Sequence, residues 1–244
     1  MVDPISPLMP ANNESRLIVA LDFDNADKAL ALVDQLHPEL CKLKVGKELF
    51  TSAGPGLVKE LVHRGFNVFL DLKFHDIPNT CAKAVLSAAN LGVWMVNVHA
   101  GGGVRMMRAA KEALDSYQGG RRPLLIGVTV LTSMDESDLA QLGIDKSPEE
   151  LVANYAQLVF ESGLDGVVCS AKECAMLKSR FGDGFHRVTP GIRPSGSVSD
   201  DQRRVVTPEE AMKLGSSYIV VGRPITQSEN PRAVCEMINL SLQK

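Results

Sequence analysis

Eight short runs of aliphatic and β-branched residues recur along the chain at a beat of roughly 30 residues, the size of one strand–helix unit in a closed barrel of this length. They are Leu17–Asp22, Lys42–Val45, Val68–Lys73, Trp94–His99, Leu124–Leu131, Gly166–Ser170, Arg187–Thr189 and Tyr218–Gly222. Segments of helical period lie between them, such as Ala26–Leu36 with apolar residues at Ala26, Leu30, Val33 and Leu36. Ser147-Pro148-Glu149-Glu150 joins an N-cap to a proline at the first helical position before Leu151–Phe160, and Thr207-Pro208-Glu209-Glu210 repeats the signal before Ala211–Leu214. After Pro231, the spacing of Ala233, Met237 and Leu240 predicts one apolar face of a last helix. Strand and helix alternating eight times predict an α/β protein, a single-domain (β/α)8 barrel of the TIM type. An open doubly wound sheet is the competing architecture. With 244 residues, 45% of them hydrophobic, the chain can bury a core of that size.

Composition narrows the classes of function. A net charge of −3 argues against a polyanion-binding surface, and one Trp with three Tyr leaves little for base-stacking platforms, so nucleic acid is not an expected partner. The five cysteines, Cys41, Cys81, Cys169, Cys174 and Cys235, are odd in number and show no Cys-x-x-Cys spacing; Cys41 and Cys169 sit in apolar strand-like runs that suit small buried thiols, and a reduced, cytoplasmic setting follows. Residues 1–15 carry three prolines, two adjacent asparagines and no Lys or Arg. They read as a disordered leader ahead of a catalytic barrel over 16–244, not as a secretory signal. No apolar stretch approaches the ~20 residues of a membrane helix, which predicts a soluble protein.

A barrel of this type should carry its chemistry at the C-terminal ends of its strands, with phosphate sites often following strands 7 and 8. Those ends hold Asp22 on strand 1, Lys44 on strand 2, Asp71 and Lys73 on strand 3, and His99 on strand 4. Strand 5 ends in Thr129-Val130-Leu131-Thr132-Ser133, strand 7 in Thr189-Pro190-Gly191-Ile192-Arg193, and strand 8 in Val221-Gly222-Arg223-Pro224. Polar residues therefore converge on one rim. The densest stretch is Leu-Asp-Leu-Lys-Phe-His-Asp-Ile-Pro-Asn-Thr over 70–80, which places Asp71, Lys73 and Asp76 within six residues. On a regular strand, Asp71 and Lys73 share one face about 6–7 Å apart. Two charges on the same face of an apolar strand are costly unless they pair or meet a charged ligand; the plainer alternative is a structural ion pair at a strand end. Arg223 follows a glycine that lets backbone N–H groups approach a phosphate. Arg193 precedes the polar stretch Pro-Ser-Gly-Ser-Val-Ser-Asp-Asp-Gln, a candidate lid at the barrel rim.

These segments resemble the orotidine 5′-phosphate decarboxylase family. The 70–80 stretch is similar to that family's signature, and Leu-Lys-Val-Gly-Lys (43–47), Val-Thr-Pro-Gly-Ile-Arg (188–193) and Val-Gly-Arg-Pro-Ile-Thr (221–226) follow in the expected order, from about Arg16 onward. The resemblance implies a (β/α)8 homodimer without cofactor or metal, converting orotidine 5′-monophosphate to uridine 5′-monophosphate and carbon dioxide at the end of de novo pyrimidine synthesis. It implies that Lys73 protonates carbon 6 of the pyrimidine and that Asp71 faces the departing carboxylate. Lys44 would hold Asp71 and the ribose, and Asp22 a ribose hydroxyl. Asp76 and Thr80 would reach into the partner's site. Gln202 would be the lid residue touching base and phosphate, and Thr132 the base contact, with Ser133 a second candidate. Gly222, Arg223 and Arg193 complete the substrate-binding set.

Other signals are weaker. Gly101-Gly102-Gly103 lacks the Gly-Lys-Ser/Thr ending of a phosphate loop and reads as a tight turn after strand 4. His75 and His99 with Asp71 and Asp76 can be drawn as a metal site, but Lys73 in their midst would repel a cation. Lys47, Lys83, Arg203 and Arg204 read as solvated charges. Two rival functions remain: a metal-dependent sugar-phosphate decarboxylase or synthase of the same barrel superfamily, and a non-catalytic nucleotide-binding barrel.

Overall fold

The computed structural model describes residues 14–194 and 206–243. Eight parallel strands, β1 (Leu17–Ala20), β2 (Lys42–Gly46), β3 (Val68–Phe74), β4 (Met95–His99), β5 (Leu124–Val128), β6 (Gly166–Val168), β7 (His186–Thr189) and β8 (Tyr218–Val221), close in sequence order. Closure is made by β1, which pairs with β2 (Val19 beside Leu43) and with β8 (Val19 beside Val221). The helices are α1 (Ala26–Val33), α2 (Lys47–His63), α3 (Pro78–Ala89), α4 (Gly103–Asp115), α5 (Glu136–Gln141), α6 (Pro148–Glu161), α7 (Cys174–Phe181), α8 (Pro208–Lys213), α9 (Arg223–Thr226) and α10 (Pro231–Ser241). Among the described residues, ten helices rather than eight arise because the connections after β5 and β8 each carry two. This is the closed (β/α)8 barrel, not the open sheet.

Strand period explains the near-continuous apolar runs, since both strand faces are buried. Ile18, Ala20, Phe69, Met95, Ile126, Val188 and Val220 fill the barrel interior. Leu17, Val19, Leu43, Val45, Leu70, Val96 and Val98 pack the layer between strands and helices. Lys42 enters the interior at the N-terminal end, where its ammonium lies 5.0 Å from the Trp94 ring centroid and 5.7 Å from that of Tyr218. It donates to the Ser15 carbonyl at 3.0 Å and stands 3.5 Å from Glu14. This buried lysine closes the bottom of the barrel, leaving the other end for the site.

The expected helix starts form as anticipated. Ser147 and Thr207 accept from the backbone N–H of Glu150 and Glu210 respectively, while those glutamates accept in return from the cap N–H groups. The glycine run after β4 is a tight turn: Gly103 has φ +77°, and a Cβ on Gly102 would run into the Met106 sulfur. All five cysteines are unbridged and buried. Among the described residues no helix is long and apolar enough to cross a membrane.

Several expectations need correction: β1 ends at Ala20 rather than Asp22, β6 at Val168 rather than Ser170, and α1 at Val33 rather than Leu36. Strand 5 stops at Val128 rather than Leu131, and residues 129–133 run over the rim. The last helix buries Pro231, Cys235, Ile238 and Asn239, so the expected face of Ala233, Met237 and Leu240 points outward, with Met237 53% and Leu240 62% exposed. A wide apolar arc of this helix holds both Ile238 and the set Ala233, Met237 and Leu240, while Arg232 and Glu236 pair at 3.0 Å on its polar side, so spacing alone does not choose which part of the arc is buried. The choice is made by Asn239, whose amide donates to the Leu40 carbonyl at 2.7 Å and whose oxygen accepts from Ser15 at 2.8 Å. Ile238→Ala should therefore cost about 2–4 kcal/mol by cavity formation. Leu240→Ala should stay within about 0.5 kcal/mol, as an exposed substitution does. Denaturant unfolding midpoints of the two variants check the face assignment.

Candidate active site

Strand β3 is regular only as far as Leu70. Its ladder to β4 runs Phe69 to Met95 and Leu70 to Val96, then resumes at Phe74 to Val98. Three residues, Asp71, Leu72 and Lys73, thus oppose the single Asn97. Within this bulge Lys73 takes φ +53°, the one positive value at a non-glycine position among the described residues. Left-handed backbone costs an L-residue about 1–2 kcal/mol. Bulges re-aim side chains beside active sites, and here the regular 6–7 Å spacing expected for Asp71 and Lys73 is replaced by direct contact.

The bulge creates an alternating array of acids and lysines. Lys73 Nζ lies 2.7 Å from Asp71 Oδ1. Lys44 Nζ lies 3.5 Å from Asp71 Oδ2 and 3.2 Å from Asp22 Oδ1. Lys44 and Asp71 are buried, whereas Asp22 is exposed at the rim. Burial is the largest single influence on the Asp71 carboxyl and pushes it up. The fields of Lys44 and Lys73, with hydrogen bonds from Lys73 and Asn97, outweigh that push and hold the carboxyl below its ordinary 3.8. The half-buried His99 imidazole is pushed down, first by burial and then by the cationic fields of His75, Lys47 and Lys73.

The array forms one wall of a cavity of about 730 Å³. Its floor is apolar, from Ala20, Phe69, Val128, Val168, Val188 and Val220, interior residues of six strands. Arg193, Gly222 and Arg223 line it from beyond β7 and β8, and Thr132 and Ser133 from beyond β5. Gly191, at φ +78°, makes the turn from β7 that brings Arg193 inward; the Arg193 N–H then donates to the Val206 carbonyl at 3.0 Å. Asp22, Lys44, Asp71, Lys73, Thr132, Arg193, Gly222 and Arg223 thus share one cavity.

Asp76 and Thr80 do not join them within this chain. Asp76 is exposed in a separate recess with His75, Ile77, Gly101, Gly102 and Arg105, where its carboxylate accepts from the Ile77 N–H at 2.6 Å. Thr80 is exposed on α3. Gln202, with Arg203 and Arg204, lies outside the described residues, as does most of the expected leader. Lys47 and Lys83 are exposed, and among the described residues no three His, Cys, Asp or Glu side chains converge as metal ligands.

Sequence reasoning missed two residues. Asn97 is wholly buried between Asp71 and Lys73, and a polar residue in the otherwise apolar run Met95–Val98 was the available signal. Gly46 leaves room for Lys44, whose ammonium a Cβ there would approach to 3.2 Å.

Fold and site together define a (β/α)8 barrel with an acid–lysine array at its C-terminal mouth. The model of the orotidine 5′-phosphate decarboxylase / HUMPS family matches residues 15–238, and the chain belongs to that family. It is 62% identical over 231 residues to the orotidine 5′-phosphate decarboxylase of Vibrio vulnificus, covering 95% of this chain and 99% of the relative. Identity to the protein of that name from Pseudoalteromonas translucida is 57% over 235 residues, covering 96% and 100%. Among solved structures, the Lactobacillus acidophilus orotidine 5′-phosphate decarboxylase superposes with a TM-score of 0.84 at 39% identity, over 93% of this chain and 99% of that one. The Pyrococcus horikoshii protein of that name superposes at 0.74 with 22% identity, over 93% and 99%, a likeness of fold alone.

The depressed Asp71 carboxyl implies a pH signature. A carboxyl held lower in the folded than in the unfolded state adds stability above its unfolded value, and that contribution is lost as pH falls through the folded value. At neutral pH Asp71→Asn should be the less stable form, because Lys73 loses its counter-charge. As pH drops below 3.8, the wild-type unfolding midpoint should fall more steeply and the two curves should converge. Denaturant midpoints measured across that range check it.

Proposed function

We infer that this chain removes carbon dioxide from orotidine 5′-monophosphate to give uridine 5′-monophosphate, as a decarboxylase of pyrimidine biosynthesis. Family membership and near full-length identity to proteins of that name support the reaction. The residue assignments rest on one observation above others: the Lys73 ammonium, 2.7 Å from Asp71, beside an apolar floor.

Direct decarboxylation leaves an electron pair in an sp² orbital at a ring carbon, with no π system to absorb it. Electrostatics must then stabilise the charge, through a fixed cation aimed where it develops. An ammonium ~4 Å from that carbon contributes ~4 kcal/mol at an effective dielectric of 20, and more where water is excluded. Lysine serves better than arginine, since it can also release its proton to the carbanion. In this reading Lys73 does both. Asp71 stands toward the departing carboxylate and keeps Lys73 and Lys44 in register, whether or not its repulsion also raises the ground state. Lys44 holds Asp71 and the ribose, and Asp22 a ribose hydroxyl. Arg223, the Gly222 backbone and Arg193 take the phosphate opposite. Thr132 contacts the base, with Ser133 beside it, and Gln202 is assigned a contact to base and phosphate by the family resemblance. The buried, unbridged thiols suit a reducing, cytoplasmic setting.

Asp76 and Thr80 act across a homodimer in this reading. Their exposure outside the cavity of their own chain supports it, as does the 67% exposed Ile77 between them. No metal or cofactor takes part.

A spectrophotometric assay with orotidine 5′-monophosphate, with and without chelator, should show turnover in both cases, and Lys73→Ala should lower it by many orders of magnitude while the barrel still folds. Loss of wild-type activity with chelator alone would favour the metal-dependent sugar-phosphate reading; uridine monophosphate binding without carbon dioxide release would favour a non-catalytic barrel. Mixing inactive Asp76→Ala chains with inactive Lys73→Ala chains should restore part of the activity. No rescue in verified heterodimers would mean that each site is built from one chain.

A further inference from the structure

We propose that Asn97 is a positioning residue for the acid–lysine array: its carboxamide completes the interrupted β3–β4 ladder and thereby sets where the Lys73 ammonium stands. The proposal deepens the decarboxylase reading and rests on it. Between the pairs Leu70–Val96 and Phe74–Val98, β4 has one residue where β3 has three, so regular backbone bonding is lost there. The Asn97 side chain supplies a substitute. Its Oδ1 accepts from the Lys73 backbone N–H at 2.8 Å, and its Nδ2 donates to Asp71 Oδ1 at 2.7 Å. A carboxamide carries the donor and acceptor of a peptide group, which is what a gap in a ladder needs.

Chemistry decides which way the amide is turned. The reverse orientation would set the amide oxygen against a carboxylate and the NH₂ against an N–H, losing both bonds. The side chain is wholly buried, so water cannot replace either partner. Asp71 Oδ1 receives Asn97 and Lys73 together, while Oδ2 faces Lys44. Asn97 therefore holds Lys73 at two points, its backbone N–H directly and its ammonium through the shared carboxylate oxygen.

Two variants separate this role from packing. Asn97→Ala removes both bonds, and a reacting group displaced by about 1 Å can cost 10²-fold in rate. Turnover of orotidine 5′-monophosphate per folded site should fall by about that factor or more. Affinity for uridine 5′-monophosphate, held mainly from the phosphate side, should change far less. Asn97→Asp keeps the acceptor for the Lys73 N–H but turns a carboxylate on Asp71. The new acid would meet Asp71 and Lys73 from β3, with Lys44 beyond Asp71, His99 two residues along its own strand, and apolar Ile126 beside it on β5. The ratio of variant to wild-type kcat should rise as pH falls, because the protonated acid can again donate to Asp71.

Wild-type kcat in folded Asn97→Ala would overturn the proposal, and so would a pH-independent ratio in Asn97→Asp. Product affinity falling as steeply as turnover would also overturn it, since that is the pattern of a packing loss. A wild-type chain that releases no carbon dioxide would defeat the functional reading instead. The placement of Lys73 would then be judged from a crystal of Asn97→Ala: a Lys73 displaced from Asp71 supports the role, and an unchanged bulge refutes it.

Discussion

The mouth of this barrel depends on the Asp71 carboxylate. Lys44 and Lys73 approach it from opposite sides, at 3.5 Å and 2.7 Å, so a negative charge separates two ammoniums that would otherwise repel beside an apolar floor. Removing one member of such a buried pairing costs about 3–5 kcal/mol, because the remaining charge has no compensation. Both carboxylate oxygens are engaged, Oδ1 by Lys73 and Asn97 and Oδ2 by Lys44, so the group stays ionised despite its burial. A lysine positioned in this way is available to a reaction that generates negative charge at carbon.

Position along the barrel axis decides what a buried lysine does. Lys42 and Lys44 stand two residues apart on β2 and both point inward. Lys42 meets the rings of Trp94 and Tyr218 and the Ser15 carbonyl, and it seals the bottom. Its ammonium is pushed toward neutrality, first by burial, with Glu14 opposing. About 6–7 Å further up the strand, Lys44 meets two carboxylates and an open cavity. The same residue type on the same face is a structural plug at one end and part of a charged array at the other.

Much of this was legible from residues alone. The strand runs were long enough and apolar enough to be recognised one by one, and eight of them in a chain of this length favoured the closed barrel that the pairing of β1 with β8 completes. The rim residues could be named because parallel strands all end on one side. The outward face of α10 could not be read, since a helix with a wide apolar arc can bury either part of it until Asn239 and Ser15 tie one down. Nor could the end of β5, where apolar residues continue past the last ladder pair at Val128. Asn97 escaped notice because its importance comes from a gap in a neighbouring strand, a property of two segments rather than one.

Local pattern by itself determined the eight strand–helix units, the capped starts of α6 and α8, and the chemical types gathered at the rim, because side-chain period and capping depend on residues close in sequence. Tertiary structure alone decided that β3 bulges at Lys73, that Asn97 spans the bulge, and that Asp76 stays outside the cavity of its own chain. The reason is physical: ladder register and charge pairing are set between strands 20 or more residues apart, and no local rule specifies which backbone groups will lack a partner until the barrel has closed.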